Sequence, residues 1–445
     1  MRCQLERKLD SRGELAPEPV PPKTGFGSRL RIGAAIVAVA ALVVGSILLP
    51  RLVGRKEAQS VTGFLYTRAC QVSLPQSWRN ALHQQVHTSE PGLGPQPFAV
   101  SPDGAEYFAE DEAKSWAGVV AVNIVTGYER RIEQFPGPSV SKNASSPGTV
   151  TTPVTQVFEG FSTGRWLVWE QSAGPAGKPL TQTIFTWDAA TGHLHTVAST
   201  PTGSLTLAQN SVGGLIAWGL SNGNSYALST AHLSDSSTRQ VASSRYPGRF
   251  GSAFFWGGRL LFSATGSSFG PSVRWRLEAL STTTLRQVVV PHQLVGLAGM
   301  EGFDANSEYV AGWSEPVGND FSQIHNSIRI MARGSDRAIN FFSGRGPLFG
   351  PNFPGVSVFG KYLTWTEFPT KRTIAAYIAD LTTGAYVKLP AFSSGPGSTA
   401  PNFSQAFGGG GTIIAMGDFP GSFPGNFGFS VLRLGRVVPL PGCGR

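Results

Sequence analysis

The sequence predicts an all-β fold, a seven-bladed β-propeller preceded by a single N-terminal transmembrane helix. Three observations carry that prediction. A strand-and-turn phrase recurs seven times, at a spacing of about 44–52 residues outside one insertion. Composition is turn-rich, with Gly 55 and Pro 32 among 445 residues and only 14% charged. With 41% hydrophobic residues the chain still has material for a core, unlike a disordered polymer. Finally, one uncharged apolar run stands near the N-terminus.

Residues 1–28 carry Pro17, Pro19, Pro21 and Pro22 and no apolar periodicity, which predicts a disordered tail. The run Ile32–Leu49 falls within a predicted span at 29–53. Eighteen helical residues rise about 27 Å, close to the hydrocarbon thickness of a bilayer. A cleavable signal peptide and a buried core helix are the alternatives. Pro50-Arg51 directly after the run argues against the first, and the bracketing Arg29, Arg31, Arg51 and Arg55 against the second. Seven Lys/Arg precede the run and three follow closely, so the N-terminus is expected in the cytoplasm and the bulk outside the plasma membrane. Much of the net charge of +9 is thus a topology signal. Nucleic-acid binding is not expected, because no dense Lys/Arg cluster appears in the repeats.

A lead-in at 54–97 follows, with a short helix expected over Ser77–Val86, and then the propeller at 98–442. Blades are placed at 98–135, 156–200, 204–245, 250–292, 296–344, 351–392 and 401–442, with a Pro/Gly/Ser-rich insertion between the first two. Each contains a Gly-led apolar strand that mostly closes on an aromatic, such as Gly164–Trp169, Gly214–Trp218 and Gly360–Trp365. We place this strand innermost, and expect Trp169, Trp218, Trp313 and Trp365 to pack between blades. Asp188-Ala189-Ala190-Thr191-Gly192 and Asp380-Leu381-Thr382-Thr383-Gly384 read as the turn before a fourth strand, Asp closing an Asx turn and Gly supplying positive φ. Cys70 and Cys443 flank the array, where first and last blades would meet, and are expected to pair; two unpaired thiols are the alternative. Cys3 falls on the cytoplasmic side.

Phe98-Ala99-Val100-Ser101-Pro102-Asp103-Gly104, with the later Asp-x-x-Thr-Gly turn, resembles bacterial TolB-like and WD40-like propeller repeats. Trp187–Gly192 is similar to quinoprotein repeats, but His195-Thr196-Val197 stands where those place a tryptophan. The resemblance implies a propeller over about 98–442 and fixes no activity.

No catalytic motif is present: no Gly-x-Ser-x-Gly, His-Glu-x-x-His, Walker loop or Cys-x-x-Cys. Gly408–Gly411 reads as a turn, and His193 with His195 as surface residues without a third metal ligand. Two positions beyond the closing residue of each Gly-led strand stand Asp111, Gln171, Leu220, Ala264, Glu315, Glu367 and Asp418. The carboxylates Asp111, Glu315, Glu367 and Asp418 belong to four blades contiguous around a ring. They are the candidate ligand or cation site, expected near the central channel, with a divalent cation as the candidate cofactor. Loops at 172–177, 316–326 and 419–426 would flank them, with aromatics and few charges. The expected function is a membrane-anchored binding or scaffolding module for a protein, peptide or glycan. The alternative is an extracytoplasmic hydrolase or lyase using clustered carboxylates.

Overall fold

The computed structural model describes residues 64, 66–83, 85–88, 96–113, 116–135, 153–175, 180–235, 237–245, 248–266, 274–314, 325–345, 348, 356–370, 373–390, 402–418 and 427–443. The chain divides into units 1–60 and 61–445, and the first lies wholly outside these residues. The predicted span Ile32–Leu49 is therefore outside them too. Among the described residues no helix is long and apolar enough to cross a membrane.

The second unit is a seven-bladed propeller of antiparallel sheets. Blades 1 to 5 are built consecutively from 96–134, 153–200, 204–245, 249–288 and 302–345. First strands contact one another between blades 1 and 2, 4 and 5, 5 and 6, 6 and 7, and 7 and 1, so they ring the axis. The Gly-led strand is therefore second in each blade, not innermost. In blade 2 the inner strand is Pro153–Thr163, and Trp166–Pro175 lies outside it. The physical reason is burial. A second strand has paired strands on both edges and neighbouring blades over both faces, so it is apolar throughout and dominates the sequence pattern. Leu167, Val168 and Trp169 are each 0% exposed.

The hairpins joining first to second strands explain the recurrent glycines. Gly213-Gly214, Gly257-Gly258 and Gly410-Gly411 have positive φ at both positions, as a two-residue type I′ connection requires. Trp169, Trp218, Trp313 and Trp365 are all buried. Trp169 packs with Phe98 and Phe108 of blade 1, and Trp218 with Val168 and Ile184 of blade 2. Trp313 and Trp365 share one cluster between blades 5 and 6.

The lead-in is part of the ring. Cys70–Gln71 adds a parallel strand to the outer edge of blade 6. A helix, Gln76–His83, buries Trp78 and Leu82 against blades 6 and 7. It ends before Val86, because Gln85–Thr88 is extended and supplies the outermost strand of blade 7 beside Phe427–Arg433. Blade 7 thus takes three strands from 402–433 and its fourth from upstream of blade 1. Cys70 and Cys443 form the expected disulfide, with Cα atoms 5.7 Å apart across 373 residues of sequence. The segment at 172–175, expected as loop, continues the second strand of blade 2.

Candidate functional site

Strand order assigns every connection to a face. Because neighbouring strands alternate in direction, the 1–2 and 3–4 turns share one face, and the 2–3 loops share the other with the connections between blades. Asp111 stands two residues before the end of the second strand of blade 1, opposite Gly118, and Asp418 ends that of blade 7 between Asn402 and Phe427. Glu367 stands near the end of the second strand of blade 6, paired with Ala375. All three lie toward the 2–3 loop face, one strand out from the ring of inner strands. Asp111 is partly exposed, whereas Glu367 is buried and accepts a hydrogen bond from Tyr377 Oη at 2.9 Å. Glu315 lies outside the described residues, as do the loops at 316–324 and 419–426.

A rim position that sequence reasoning passed over is Glu133, on the fourth strand of blade 1. Burial pushes its carboxyl up to about 7, opposed by a hydrogen bond from Gln171 of blade 2. Gln171 Oε1 also accepts from Trp169 Nε1 at 3.2 Å.

The axis holds a second group of carboxylates. Glu159 sits on the first strand of blade 2 and accepts from Leu207 N at 3.0 Å, on the first strand of blade 3. Asp304 sits on the first strand of blade 5, Gly302–Ala305, and accepts from Val358 N of blade 6 at 2.7 Å. Burial pushes Glu159 to about 7 against the Leu207 hydrogen bond, with Asp304's charge adding to the rise. Burial also raises Asp304 to about 7, although bonds from Val358, Ala305 and Ser357 favour its ionised form. Glu170, on the adjacent strand of blade 2, is pushed to about 8 by burial and then by Glu159.

Glu159 and Asp304 do one structural job. An inner strand pairs on one edge only, leaving N–H groups of its other edge without a ladder. The preceding blade supplies acceptors. Glu110 takes Val157 N at 3.1 Å, Gln182 takes Leu205 N at 2.6 Å, and Asn210 takes Phe255 N at 2.8 Å. Val157 lies at a β-bulge, whose extra residue frees that N–H. The signal in the sequence was faint: single polar residues among apolar neighbours, with no shared spacing between blades.

Among the described residues no group of three or more His, Cys, Asp and Glu could hold a metal ion. His193 and His195 are exposed, with ring centroids 6.1 Å apart.

No family model matches the chain. No curated protein matches it either. Solved structures share the propeller fold. An oligogalacturonate lyase in complex with manganese aligns with TM-score 0.45 and 11% identity, over 83% of this chain and 100% of its own. The propeller domain of the trilobed protease from Pyrococcus furiosus, described with an open velcro topology, gives 0.38 and 11%, over 62% and 81%. A protein described as TolB from Agrobacterium tumefaciens gives 0.33 and 10%, over 57% and 81%. These likenesses are of fold alone, and at that level the TolB-like resemblance holds.

Proposed function

We propose that this chain is an extracytoplasmic propeller, tethered to the plasma membrane by Ile32–Leu49 as a single span, and that it acts as a binding or scaffolding module for a protein, peptide or glycan. The observation that carries the proposal is the Cys70–Cys443 disulfide. A bond joining the two ends of the array belongs to an oxidising compartment. It also makes the ring a rigid platform, on which binding groups stay in place at low entropic cost. The axial carboxylates favour the same reading, since Glu159 and Asp304 are committed to backbone N–H groups of the next blade. The 2–3 loop face, with Asp111, Glu367 and Asp418 in the last residues of the second strands as they approach it, is the proposed recognition surface.

One observation favours the alternative of a hydrolase or lyase. Glu159, Glu170 and Asp304 are held near neutral pKa, where a carboxyl can give or take a proton at working pH.

The test is partner capture from intact membranes by the full chain, against a variant lacking 54–445 and against Glu367→Gln with Asp418→Asn. Binding lost with the deletion and weakened by the paired substitution supports a loop-face module. Undiminished binding in the paired variant removes the rim from the reading. Turnover of an envelope glycan or peptide that disappears in Glu170→Gln establishes the enzyme instead.

A further inference from the structure

Between Asp235 and Glu278 the sequence holds Arg239, Arg245, Arg249, Arg259, Arg274 and Arg276 and no acid, in a chain with 27 Asp and Glu among 445 residues. The fold sorts these arginines by strand direction. Arg239 stands near the 3–4 turn of blade 3 and Arg259 follows the 1–2 hairpin of blade 4, so both lie toward the turn face. The other four come to the 2–3 loop face. Arg245 ends the fourth strand of blade 3, Thr238–Arg245, and Arg249 begins the first strand of blade 4, Arg249–Trp256. The link between them is tight, with Gly248 N donating to Arg245 O at 2.8 Å. Arg274 and Arg276 lead into the third strand of blade 4, Arg276–Ser281. Trp275 between them joins the two segments, because the Arg249 guanidinium lies over its ring at 4.8 Å.

That contact has a built support. Gly251 has no side chain where a Cβ would stand 3.2 Å from Trp275 Cζ3 and 2.3 Å from Ser263 Oγ, so the indole seats against the inner strand of blade 4. Arg249 and Trp275 are half-buried, whereas Arg245, Arg274 and Arg276 are exposed. Two acids stand beside them. Glu278 pairs with Arg276 at 2.8 Å. Glu301, just before the first strand of blade 5, feels the Arg249 charge, which opposes the rise that burial gives its carboxyl. The other acids placed on this face, Asp111, Glu133, Glu367 and Asp418, belong to blades 1, 6 and 7. Four guanidinium groups against two neighbouring carboxyls leave this sector cationic. Planar guanidinium groups match the paired oxygens of an oxyanion. None of the exposed large apolar residues of the described chain lies in either segment. A protein partner needs an apolar or aromatic anchor at the core of its interface, and a charged, hydroxyl-rich polymer does not.

We propose that Arg245, Arg249, Arg274 and Arg276 form a binding site for an anionic glycan, one bearing carboxylate or phosphodiester groups. Arg249, held on Trp275, is its fixed member, and the three exposed arginines close on the charges of the ligand. The proposal rests on the reading of the 2–3 loop face as a recognition surface, and it assigns the sector of that face on blades 3 and 4.

The test measures binding of the full chain, in a neutral detergent, to hyaluronan, phosphomannan, dextran and poly-L-glutamate. The parent should bind at least one of the two anionic glycans, ignore uncharged dextran, and lose affinity as salt screens the charges. Binding of hyaluronan alone identifies carboxylates as the recognised group, and binding of phosphomannan alone identifies phosphodiesters. Arg245→Glu with Arg274→Glu should weaken binding about tenfold. Arg239→Glu with Arg286→Glu makes the same change of charge at exposed positions on the turn face of the same blades, and should weaken it less than about twofold. No binding of either anionic glycan, equal losses in the two paired variants, or poly-L-glutamate bound as tightly as the glycans would overturn the proposal. Capture of a membrane partner that still depends on Glu367 and Asp418 would, in that event, leave the loop face standing as a recognition surface.

Discussion

The seam between blades 2 and 3 and the seam region that closes the ring are held by opposite means. At the first, Glu159 and Gln182 reach across to the N–H groups of Leu207 and Leu205, over an apolar cluster containing Val168 and Trp218. Chain connectivity already holds those blades side by side, so side-chain acceptors suffice. Closure has no such help. There the protein uses a borrowed strand at Gln85–Thr88, a helix pinned by Trp78, and a disulfide. Trp78 Nε1 donates to Val438 O at 2.7 Å, and Ser430 Oγ to Leu82 O at 2.5 Å. Local seams can be polar and adjustable, whereas the closing segment must offset the entropy of joining chain ends more than 300 residues apart.

The largest expected effects come from tryptophans at the two places. Trp365→Ala, between blades 5 and 6, and Trp78→Ala, in the closing segment, should each cost about 3–5 kcal/mol by denaturant unfolding. They should differ in hydrogen exchange. Trp78→Ala should raise exchange at residues 70–88 and 427–433 and spare blades 2 and 3. Equal loss of protection everywhere would erase the distinction between the seams.

Cys443→Ser should cost about 2–5 kcal/mol, again with the change confined to the closing segment. A variant as stable as the parent would mean that the borrowed strand closes the ring unaided.

The seams bridged by axial carboxylates, blade 2 to blade 3 at Glu159 and blade 5 to blade 6 at Asp304, should respond to pH where the closing segment does not. Glu159 and Asp304, raised to about 7, and Glu170, raised to about 8, bind protons more tightly folded than unfolded. Their contribution is therefore fully present below about pH 4 and is lost as pH rises towards 8. Asp304→Asn and Glu170→Gln should flatten that fall in denaturant midpoint while keeping an acceptor oxygen. A slope unchanged in both variants would remove these carboxyls as its source.

The smallest effect is expected at a turn device shared by blades 2 and 6. The residue after the turn glycine reaches the Asp of the 3–4 turn, Arg165 to Asp188 at 3.0 Å and Lys361 to Asp380 at 2.9 Å. Each cation is about half exposed, so Lys361→Ala should cost less than about 1 kcal/mol. Asp380→Ala should cost more, because its carboxylate also accepts from Thr382 N at 2.9 Å.

Both halves of that device were legible as motifs, Gly-Arg or Gly-Lys and Asp-x-x-Thr-Gly, because turn chemistry is local. Blade number and the buried tryptophans were legible for a similar reason. A second strand buried on every side must be apolar, so it repeats visibly. The inner strands were not, since Ser204–Leu207 and Gly302–Ala305 have four residues each and one free edge. Gln85–Thr88 was hidden because its partner lies near residue 430, and no local pattern encodes so distant a pairing. Glu159 and Asp304 were missed because each is a lone carboxylate whose meaning comes from the neighbouring blade.

The central claim is a ring closed at residues 70 and 443, which we propose is displayed outside the membrane. Intact cells treated with a membrane-impermeant alkylating reagent, followed by non-reducing peptide mapping of the full chain, test it most directly. The account predicts a Cys70–Cys443 linked peptide, no alkylation of either cysteine before reduction, and labelling of both when an impermeant reductant is added to the cells. Cys70 and Cys443 recovered as free thiols, or a linked pair that an impermeant reductant never reaches, would contradict it.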